Sequence, residues 1–329
     1  MRVLVVGAGV MGLTCGVRLA ESGHEVHVLA RDLPLETTSA VAAAWWYPYR
    51  AAPADRVGPW AARSYAVFKQ LAGQPDTGVA LLLSTEVHRW PQPDPSWASA
   101  VPDFTRETGD RLPEGYRDGW SFVSPVIEMP VYLQMLADRL TAAGGTITRM
   151  ALGGLPSGPD AVVVNCAGLA NRSLVGDLAL YPVRGQVVRL QKVQADQVWL
   201  DSSADDVTYV VPRSHDIVVG GSDEEGQWDR QPDPALSERI VARATRLVPE
   251  LADAEVLGHR VGLRPCRPEV RLEVETRTDA GPVVHCYGHG GAGITLSWGC
   301  ADEVTRLVEQ ISGGDRDGAA APGGRVHDR

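Results

Sequence analysis

Runs of hydrophobic residues separated by glycines open the chain and predict a β-α-β unit. Residues 3–6 are continuously apolar and end at a glycine, which is typical of a strand buried in a parallel sheet. Apolar residues recur at helical spacing over 11–20, and Gly23 closes this helix. Residues 25–30 then alternate between apolar and polar side chains, as a second strand does.

The pattern is less regular between residues 50 and 130, where prolines separate short segments that contain Trp. We expect an irregular, substrate-facing insertion in this region. Regular periodicity returns over 130–143, where a helix is predicted between an initial proline and Gly144. Two further buried strands are predicted at 146–150 and 161–164.

The remaining pattern predicts an antiparallel sheet followed by a return to α/β structure. Residues 185–221 alternate β-branched and polar side chains, and 232–248 is predicted to be a helix. Residues 283–299 contain a strand, a glycine-rich turn and the start of a helix that we expect to continue to Leu307. The final segment, 313–329, lacks periodicity and is predicted to be a flexible tail.

Composition narrows the classes of function. With 329 residues, of which 44% are hydrophobic, the chain can form one large domain or two interleaved domains. The 31 Lys and Arg residues against 41 Asp and Glu residues give a net charge of −10, which disfavours nucleic acid and anionic membrane surfaces as partners. No apolar run approaches the length of a membrane helix, about 20 residues.

The cysteines and the missing motifs exclude further classes. Five scattered cysteines without C-x-x-C spacing predict neither a disulfide scaffold nor a zinc site, so we expect a reducing, cytoplasmic setting without a bound metal. A disulfide between Cys266 and Cys286 is left open, because their segments could meet. The chain contains no Gly-x-Ser-x-Gly elbow and no His-Glu-x-x-His pair, so hydrolase and metalloenzyme functions have no support.

The first glycine motif predicts a dinucleotide site. It follows a buried strand, starts a helix and comprises Gly7, Ala8, Gly9, Val10, Met11 and Gly12. Glycines in this context allow a pyrophosphate to approach the helix N-terminus closely. Asp32 is the candidate for binding the ribose, and Arg31 for the pyrophosphate or adenosine side. Because Arg31 could also bind a 2′-phosphate, NADP stays an alternative at this point, as does a solvated ion pair without function.

A second glycine cluster favours FAD over a nicotinamide cofactor. Residues 289–295 again lie between an apolar strand and a helix and supply Gly290, Gly291, Gly293, Ile294 and Thr295. Two such turns at opposite ends of one chain imply two backbone approaches to one extended ligand. A nicotinamide enzyme needs only the first turn, whereas FAD can use both, with the second helix N-terminus polarising the flavin ring.

Seven segments together resemble the flavin-dependent D-amino-acid oxidase family, in particular its bacterial members. They are 5–13, 41–49, 164–168, 184–186, 209–212, 262–268 and 287–295, and the resemblance extends to about Val308. It implies an α/β fold with a Rossmann-like FAD-binding domain of the glutathione-reductase type, interleaved with a substrate domain that has a mixed, largely antiparallel sheet. The implied cofactor segments are 1–47, 130–185 and 258–312, and the implied substrate segments are 48–129 and 186–257. The resemblance also implies FAD contacts by Thr38, Ser39, Ala43, Ala44, Trp45, Leu152, Ala167 and Gly168.

The resemblance further implies a substrate site, with Arg264, Tyr209 and Gly291 as its catalytic set. A planar guanidinium such as that of Arg264 can hold an α-carboxylate by two parallel hydrogen bonds, although a structural ion pair is the alternative. Tyr209 would bind the same carboxylate, and the Gly291 carbonyl would accept from the amino group. Tyr47 stands where mammalian relatives carry Gln. Asp223 stands where fungal relatives carry an aromatic residue, and it could admit basic substrates or remain a solvated loop carboxylate.

The implied activity is the oxidation of D-amino acids to 2-oxo acids, ammonia and hydrogen peroxide. A hydride would pass from the substrate α-carbon to flavin N5, and molecular oxygen would be the final acceptor. Glycine or sarcosine oxidase and D-aspartate oxidase share this framework. An NAD(P)-dependent oxidoreductase and a non-catalytic dinucleotide sensor are the alternatives from other classes. The sequence allows a homodimer without specifying one, and it does not identify the preferred D-amino acid.

Overall fold

The computed structural model describes residues 1–48, 51–95, 97–101, 103–158, 161–202, 207–277 and 280–318. The helices are α1 (Val10–Glu21), α2 (Ala54–Leu71), α3 (Met129–Ala142), α4 (Asn171–Leu174), α5 (Pro234–Leu247) and α6 (Gly293–Gly318). The strands are β1 (Arg2–Val6), β2 (Glu25–Ala30), β3 (Val79–His88), β4 (Thr105–Glu107), β5 (Asp118–Ile127), β6 (Thr146–Arg149), β7 (Ala161–Asn165), β8 (Tyr181–Gln191), β9 (Val198–Asp201), β10 (Thr208–Pro212), β11 (Asp216–Gly220), β12 (Glu224–Glu225), β13 (Val256–Glu275) and β14 (Val283–His289).

One half of the sheet contains the predicted α/β unit and combines strands from both ends of the chain. β1 lies between β2 and β7 with parallel pairing on both sides, and β6 and β14 extend this parallel layer. Val3 and Val5 of β1 are fully buried, because helices cover the layer. α1 packs against α3 and α6. This arrangement places the N-termini of α1 and α6 beside the carboxyl ends of parallel strands, where ligands bind in open α/β sheets.

The other half of the sheet is mostly antiparallel, as predicted. β9, β10, β11 and β8 pair in succession, and α5 covers them with Leu236, Ile240 and Ala244, which recur at helical spacing. The 20-residue β13 pairs with β8 along one edge and with β14 along the other. The two halves therefore form one continuous sheet in the order β4-β5-β3-β9-β10-β11-β8-β13-β14-β7-β1-β2-β6.

The region between residues 50 and 130 is more regular than expected. It contains the 18-residue α2 and the 10-residue strands β3 and β5. Trp60, Ser64 and Phe68 recur every fourth residue and are buried on the α2 face that packs against α6. The prolines were misleading, because α2 continues through Pro59, which is the sixth residue of the helix and lies inside it. The division into cofactor and substrate segments stays a prediction, although α2 shares its hydrophobic core with α1, α3 and α6.

Several smaller expectations also differ from the structure. β6 was predicted to be buried, but it is largely exposed because it is the outermost strand of the sheet. α6 continues to Gly318, past the start of the predicted tail, whose residues 319–329 lie outside the described part of the chain. Cys266 and Cys286 are not joined by a disulfide, and they are not opposite each other across the ladder, where Cys266 pairs with His289 and Cys286 with Leu272. Within the described ranges, every helix is too short or too polar to span a lipid bilayer.

Candidate active site

A cavity of about 940 Å³ lies against both halves of the sheet and brings the two glycine-rich turns together. All the predicted site residues line it except Gly12 and Thr295. The structure places these two behind the cavity wall. A Cβ atom on Gly12 would lie 1.9 Å from the Gly7 carbonyl oxygen, so Gly12 permits contact between α1 and the turn. The Thr295 hydroxyl donates to the Tyr47 carbonyl at 2.9 Å and accepts from the Tyr47 amide at 3.1 Å.

The first glycine turn fits the pyrophosphate of a dinucleotide. Gly7 has φ +109°, and a Cβ atom there would lie 2.6 Å from the Cys166 carbonyl oxygen. A Cβ atom on Gly9 would lie 3.1 Å from Ser39 Oγ, which itself accepts from the Val10 amide at 3.0 Å. The N-cap residue of α1 is Gly9, which has no side chain to cap the helix, so the dipole of α1 and its N-terminal amides other than that of Val10 are available to an anion. A side chain at Gly7 would collide with the turn after β7, and one at Gly9 would crowd Ser39, so glycine is needed for this tight packing around the turn.

The nucleotide end of the cavity contains Arg31 and Asp32 as an ion pair. Arg31 Nη2 donates to Asp32 Oδ2 at 2.6 Å, and this contact holds the pKa of the Asp32 carboxyl below its usual value. Asp32 is therefore a charged acceptor suited to a ribose hydroxyl. An Arg31 side chain that is committed to this carboxylate is a poor receptor for a 2′-phosphate, because Asp32 would repel the phosphate. The geometry thus favours FAD over NADP.

The turn after β7 forms the next part of the cofactor wall. The buried Asn165 donates to Asn171 Oδ1 at 2.7 Å and accepts from the Ala167 amide at 3.2 Å. These bonds hold Ala167 and Gly168 against the cavity, and Gly168 has φ +54°. The sequence analysis did not assign a role to Asn165, since only the register of β7 reveals its partners.

Three further lining residues were missed by the sequence analysis. Arg172, Trp228 and Arg230 line the cavity although they are distant in sequence from both glycine motifs. The Arg172 guanidinium lies 6.0 Å from the centre of the Trp228 ring, and the charge of Arg230 contributes to the low pKa of Asp32. No local motif marks these residues, because α4 and the segment after β12 reach the cavity only through the tertiary fold.

The second glycine turn joins β14 to α6. The Gly290 amide donates to the Pro265 carbonyl at 3.0 Å, and Gly290 has φ +55°. This bond places Gly291 beside the residue that follows Arg264. His289 precedes the turn, and burial lowers its pKa to about 3, so its imidazole is neutral.

Arg264 and Tyr209 converge on the cavity wall near this turn. Arg264 Nη1 donates to the Ser222 carbonyl at 3.0 Å, and its side chain is 20% exposed. Gly185 makes room for the guanidinium, because a Cβ atom there would lie 2.6 Å from Arg264 Cζ. Tyr209 is 7% exposed; burial raises the pKa of its phenol, and the neighbouring Arg264 opposes this only in part. Tyr209 is therefore a neutral hydrogen-bond donor beside a fixed cation.

Asp223 and Tyr47 complete this end of the cavity. Asp223 Oδ1 lies 3.7 Å from Arg264 Nη1, and the Asp223 side chain is 22% exposed. It is thus an ion-pair partner of the proposed clamp and not a solvated loop carboxylate. The Tyr47 hydroxyl donates to Glu86 Oε2 at 2.8 Å, which ties it to a buried carboxylate that the sequence analysis did not identify.

The fold also brings together cysteines that sequence spacing kept apart. The sulfur atoms of Cys15, Cys166 and Cys286 lie within 4.8 Å of one another, and Cys286, His289 and Cys300 form a second group of this kind. The sequence lacks C-x-x-C spacing and so did not indicate these two groups. These residues come from α1, the β7 turn, β14 and α6, which all meet beneath the cavity.

The comparisons with known proteins agree with this geometry. A family model for FAD dependent oxidoreductases matches residues 2–307. The D-amino-acid oxidase of Rubrobacter xylanophilus is 49% identical over 93% of this chain and 95% of its own length. The D-amino-acid oxidase of Streptomyces coelicolor is 42% identical over 93% of this chain and 96% of its own length. Glycine oxidase from Geobacillus kaustophilus shares the fold, with a TM-score of 0.79 at 21% identity over 94% of this chain and 95% of that one. The chain therefore belongs to the FAD-dependent oxidoreductase family, and its cofactor is FAD.

Proposed function

We propose that this protein oxidises D-amino acids to 2-oxo acids, ammonia and hydrogen peroxide, with molecular oxygen as the final acceptor. The observation that carries the proposal is the convergence of Arg264 and Tyr209 on a cavity wall next to the second glycine turn. A fixed cation beside a neutral phenol is a receptor for a carboxylate. The names of the relatives at 49% and 42% identity support the same substrate class.

The proposed roles follow from the chemistry of each group. Arg264 binds the α-carboxylate through two parallel N–H donors, and Tyr209 adds one O–H donor. The Gly291 carbonyl accepts a hydrogen bond from the substrate amino group. FAD, when bound, accepts the hydride that leaves the α-carbon. With the carboxylate and the amine both fixed, only one enantiomer directs its α-hydrogen at the acceptor while its side chain fits the remaining space.

The test is the visible absorption spectrum of the purified holoprotein under anaerobic conditions. D-alanine or D-valine should bleach the flavin bands, and the matching L-enantiomers should leave them unchanged. Admission of oxygen should restore the bands and release hydrogen peroxide. A yellow protein that no D-amino acid bleaches would contradict the proposal.

Glycine and sarcosine are the matched control substrates. They carry the carboxylate and the amine but lack the side chain on the α-carbon that would occupy the remaining space of the cavity. We expect them to be oxidised much more slowly than D-alanine, whereas comparable rates would identify a glycine-type oxidase.

A homodimer and a cytoplasmic location stay predictions. Analytical sedimentation would test the homodimer, and cell fractionation would test the location.

A further inference from the structure

Glu86 is a buried carboxylate in the middle of β3 that the proposed reaction does not use. Its side chain is 3% exposed and accepts hydrogen bonds from the Tyr47 hydroxyl at 2.8 Å, Trp120 Nε1 at 2.9 Å and the Ser202 hydroxyl at 2.5 Å. Several donors directed at two oxygen atoms match an ionised carboxylate, which can only accept. Burial of a charge costs free energy, and the three hydrogen-bond donors offset this cost for the Glu86 carboxylate. A carboxylate that is stabilised in this way is a candidate for a functional role.

The sheet register places Glu86 behind the substrate end of the cavity. Glu86 pairs with Leu200, and Leu200 pairs with Tyr209 on the next strand. Residues that pair across strands direct their side chains to the same face, and two strand spacings amount to about 10 Å. Leu200 and Tyr209 line the cavity, as do Tyr47 and Ser202. Two hydroxyls therefore stand between Glu86 and the space next to the carboxylate clamp.

These hydroxyls transmit the charge of Glu86 to the cavity. A hydroxyl has one proton, and Tyr47 and Ser202 both donate theirs to Glu86. Their oxygen atoms can then only accept hydrogen bonds from other groups. The imidazole of His88 is also close to Glu86, with His88 Nε2 at 3.7 Å from Glu86 Oε1. Burial lowers the pKa of His88, so at neutral pH its imidazole is uncharged and does not cancel the negative charge.

We propose that Glu86 determines substrate specificity by making this wall of the cavity anionic and hydrogen-bond accepting. Substrates whose side chains end in an amide, an ammonium or a guanidinium group are favoured, and substrates with a side-chain carboxylate are disfavoured. This inference rests on the proposed oxidation of D-amino acids. Asp223 lies at the same end of the cavity, but its charge is paired with Arg264, so the proposed effect is assigned to Glu86.

D-glutamine and D-glutamate are the decisive pair of substrates, because they have nearly the same shape and differ in charge. For a separation of about 8 Å and an effective dielectric constant of 20, repulsion between the Glu86 carboxylate and the side-chain carboxylate of D-glutamate would lower kcat/KM by about 30-fold. The wild-type holoprotein should therefore prefer D-glutamine by about 10- to 30-fold. In Glu86→Gln, the NH2 group of the new amide donates to the oxygen atom of one of the two hydroxyls. The proton of that hydroxyl is then free to donate a hydrogen bond into the cavity. The preference should fall to about two-fold or less, mainly through a lower KM for D-glutamate.

Two controls separate this role from a structural one. D-alanine turnover by Glu86→Gln should stay within about two-fold of wild type, since the methyl side chain of D-alanine has neither a charge nor a hydrogen-bonding group. Glu107→Gln alters another buried carboxylate, which accepts from Ser121 on the neighbouring strand, and it should leave the substrate preference unchanged. Equal loss of activity with all three substrates would assign Glu86 a structural role and overturn the inference.

The ratio of kcat/KM for D-glutamine and D-glutamate with the wild-type protein tests the inference even if Glu86→Gln fails to fold or to retain FAD. Oxidation of D-glutamate as efficiently as D-glutamine by the wild-type protein would overturn the inference while leaving the proposed function intact. Failure of every D-amino acid, including D-alanine, to reduce the flavin would instead refute the proposed function itself.

Discussion

Replacement of Arg264 by Ala tests the carboxylate clamp most directly. The substitution removes two charge-assisted hydrogen bonds to the substrate, each worth about 1.5–3 kcal/mol. Arg264 is already held by the Ser222 carbonyl at 3.0 Å and by its packing on Gly185, so little ordering of the side chain opposes binding. We therefore expect kcat/KM for D-alanine to fall by about 3–6 kcal/mol, which is about 10²- to 10⁴-fold. Arg264→Lys keeps the charge but loses the planar fork, and its loss should be intermediate.

The assay combines steady-state kinetics with the flavin spectrum. Arg264→Ala should retain bound FAD, since the glycine turns and α1 that hold the cofactor are unchanged. Arg267→Ala is the matched control, because Arg267 lies on the same strand but pairs with Asp177 at 3.1 Å outside the cavity. It should leave kcat/KM within about three-fold of wild type. Unchanged turnover by Arg264→Ala with FAD bound would refute the clamp and return Arg264 to the role of a structural ion pair.

Three further predictions concern the tyrosine beside the clamp and an ion pair remote from it. Tyr209→Phe removes one neutral hydrogen bond and should raise KM for D-alanine about five-fold, by about 1 kcal/mol, as initial-rate kinetics will show. Gly220→Ala would place a Cβ atom 2.2 Å from Tyr209 Cζ, so it should displace the ring and raise KM more than Tyr209→Phe does, without release of FAD. Burial of Asp216 opposes its ionisation, but hydrogen bonds from Arg213 and Arg189 outweigh burial and lower the pKa of Asp216. Its stabilising contribution is therefore complete above the unfolded pKa of about 3.9 and is lost at lower pH, so Asp216→Asn should lower Tm at pH 7 and the difference should shrink in acid.

The fold was predictable where sequence pattern and local geometry agree. The β1-turn-α1 unit follows from an apolar run, three glycines and helical spacing, all within one short segment. α2 was missed although Trp60, Ser64 and Phe68 already show helical spacing, because the surrounding prolines were given more weight than that period. β6 was misjudged for a different reason. Burial of a strand depends on its place in the sheet, and its sequence does not show that it lies at the edge.

The site was predictable to the extent that motifs carry it. The two glycine turns and Arg264 stand in segments that resemble a known family, and the structure places them on one cavity. Gly185 and Gly220 are needed because a side chain would collide with Arg264 or Tyr209, which only the packed structure reveals. Glu86 is further from any motif, since its relation to Tyr209 passes through Leu200 and the register of three strands. Contacts of this kind require tertiary structure and leave no local pattern.

In the proposed site, the residues that contact the substrate carboxylate and amine are connected by one backbone hydrogen bond. Arg264, on β13, precedes Pro265, whose carbonyl accepts from the Gly290 amide at 3.0 Å. Gly291 follows directly and offers the carbonyl proposed to accept from the substrate amine. The carboxylate and amine contacts are thus separated by a single backbone hydrogen bond and two peptide units, with little freedom to change their spacing. The same turn begins α6 beside the cofactor cavity, so we expect this one element to position both FAD and the substrate.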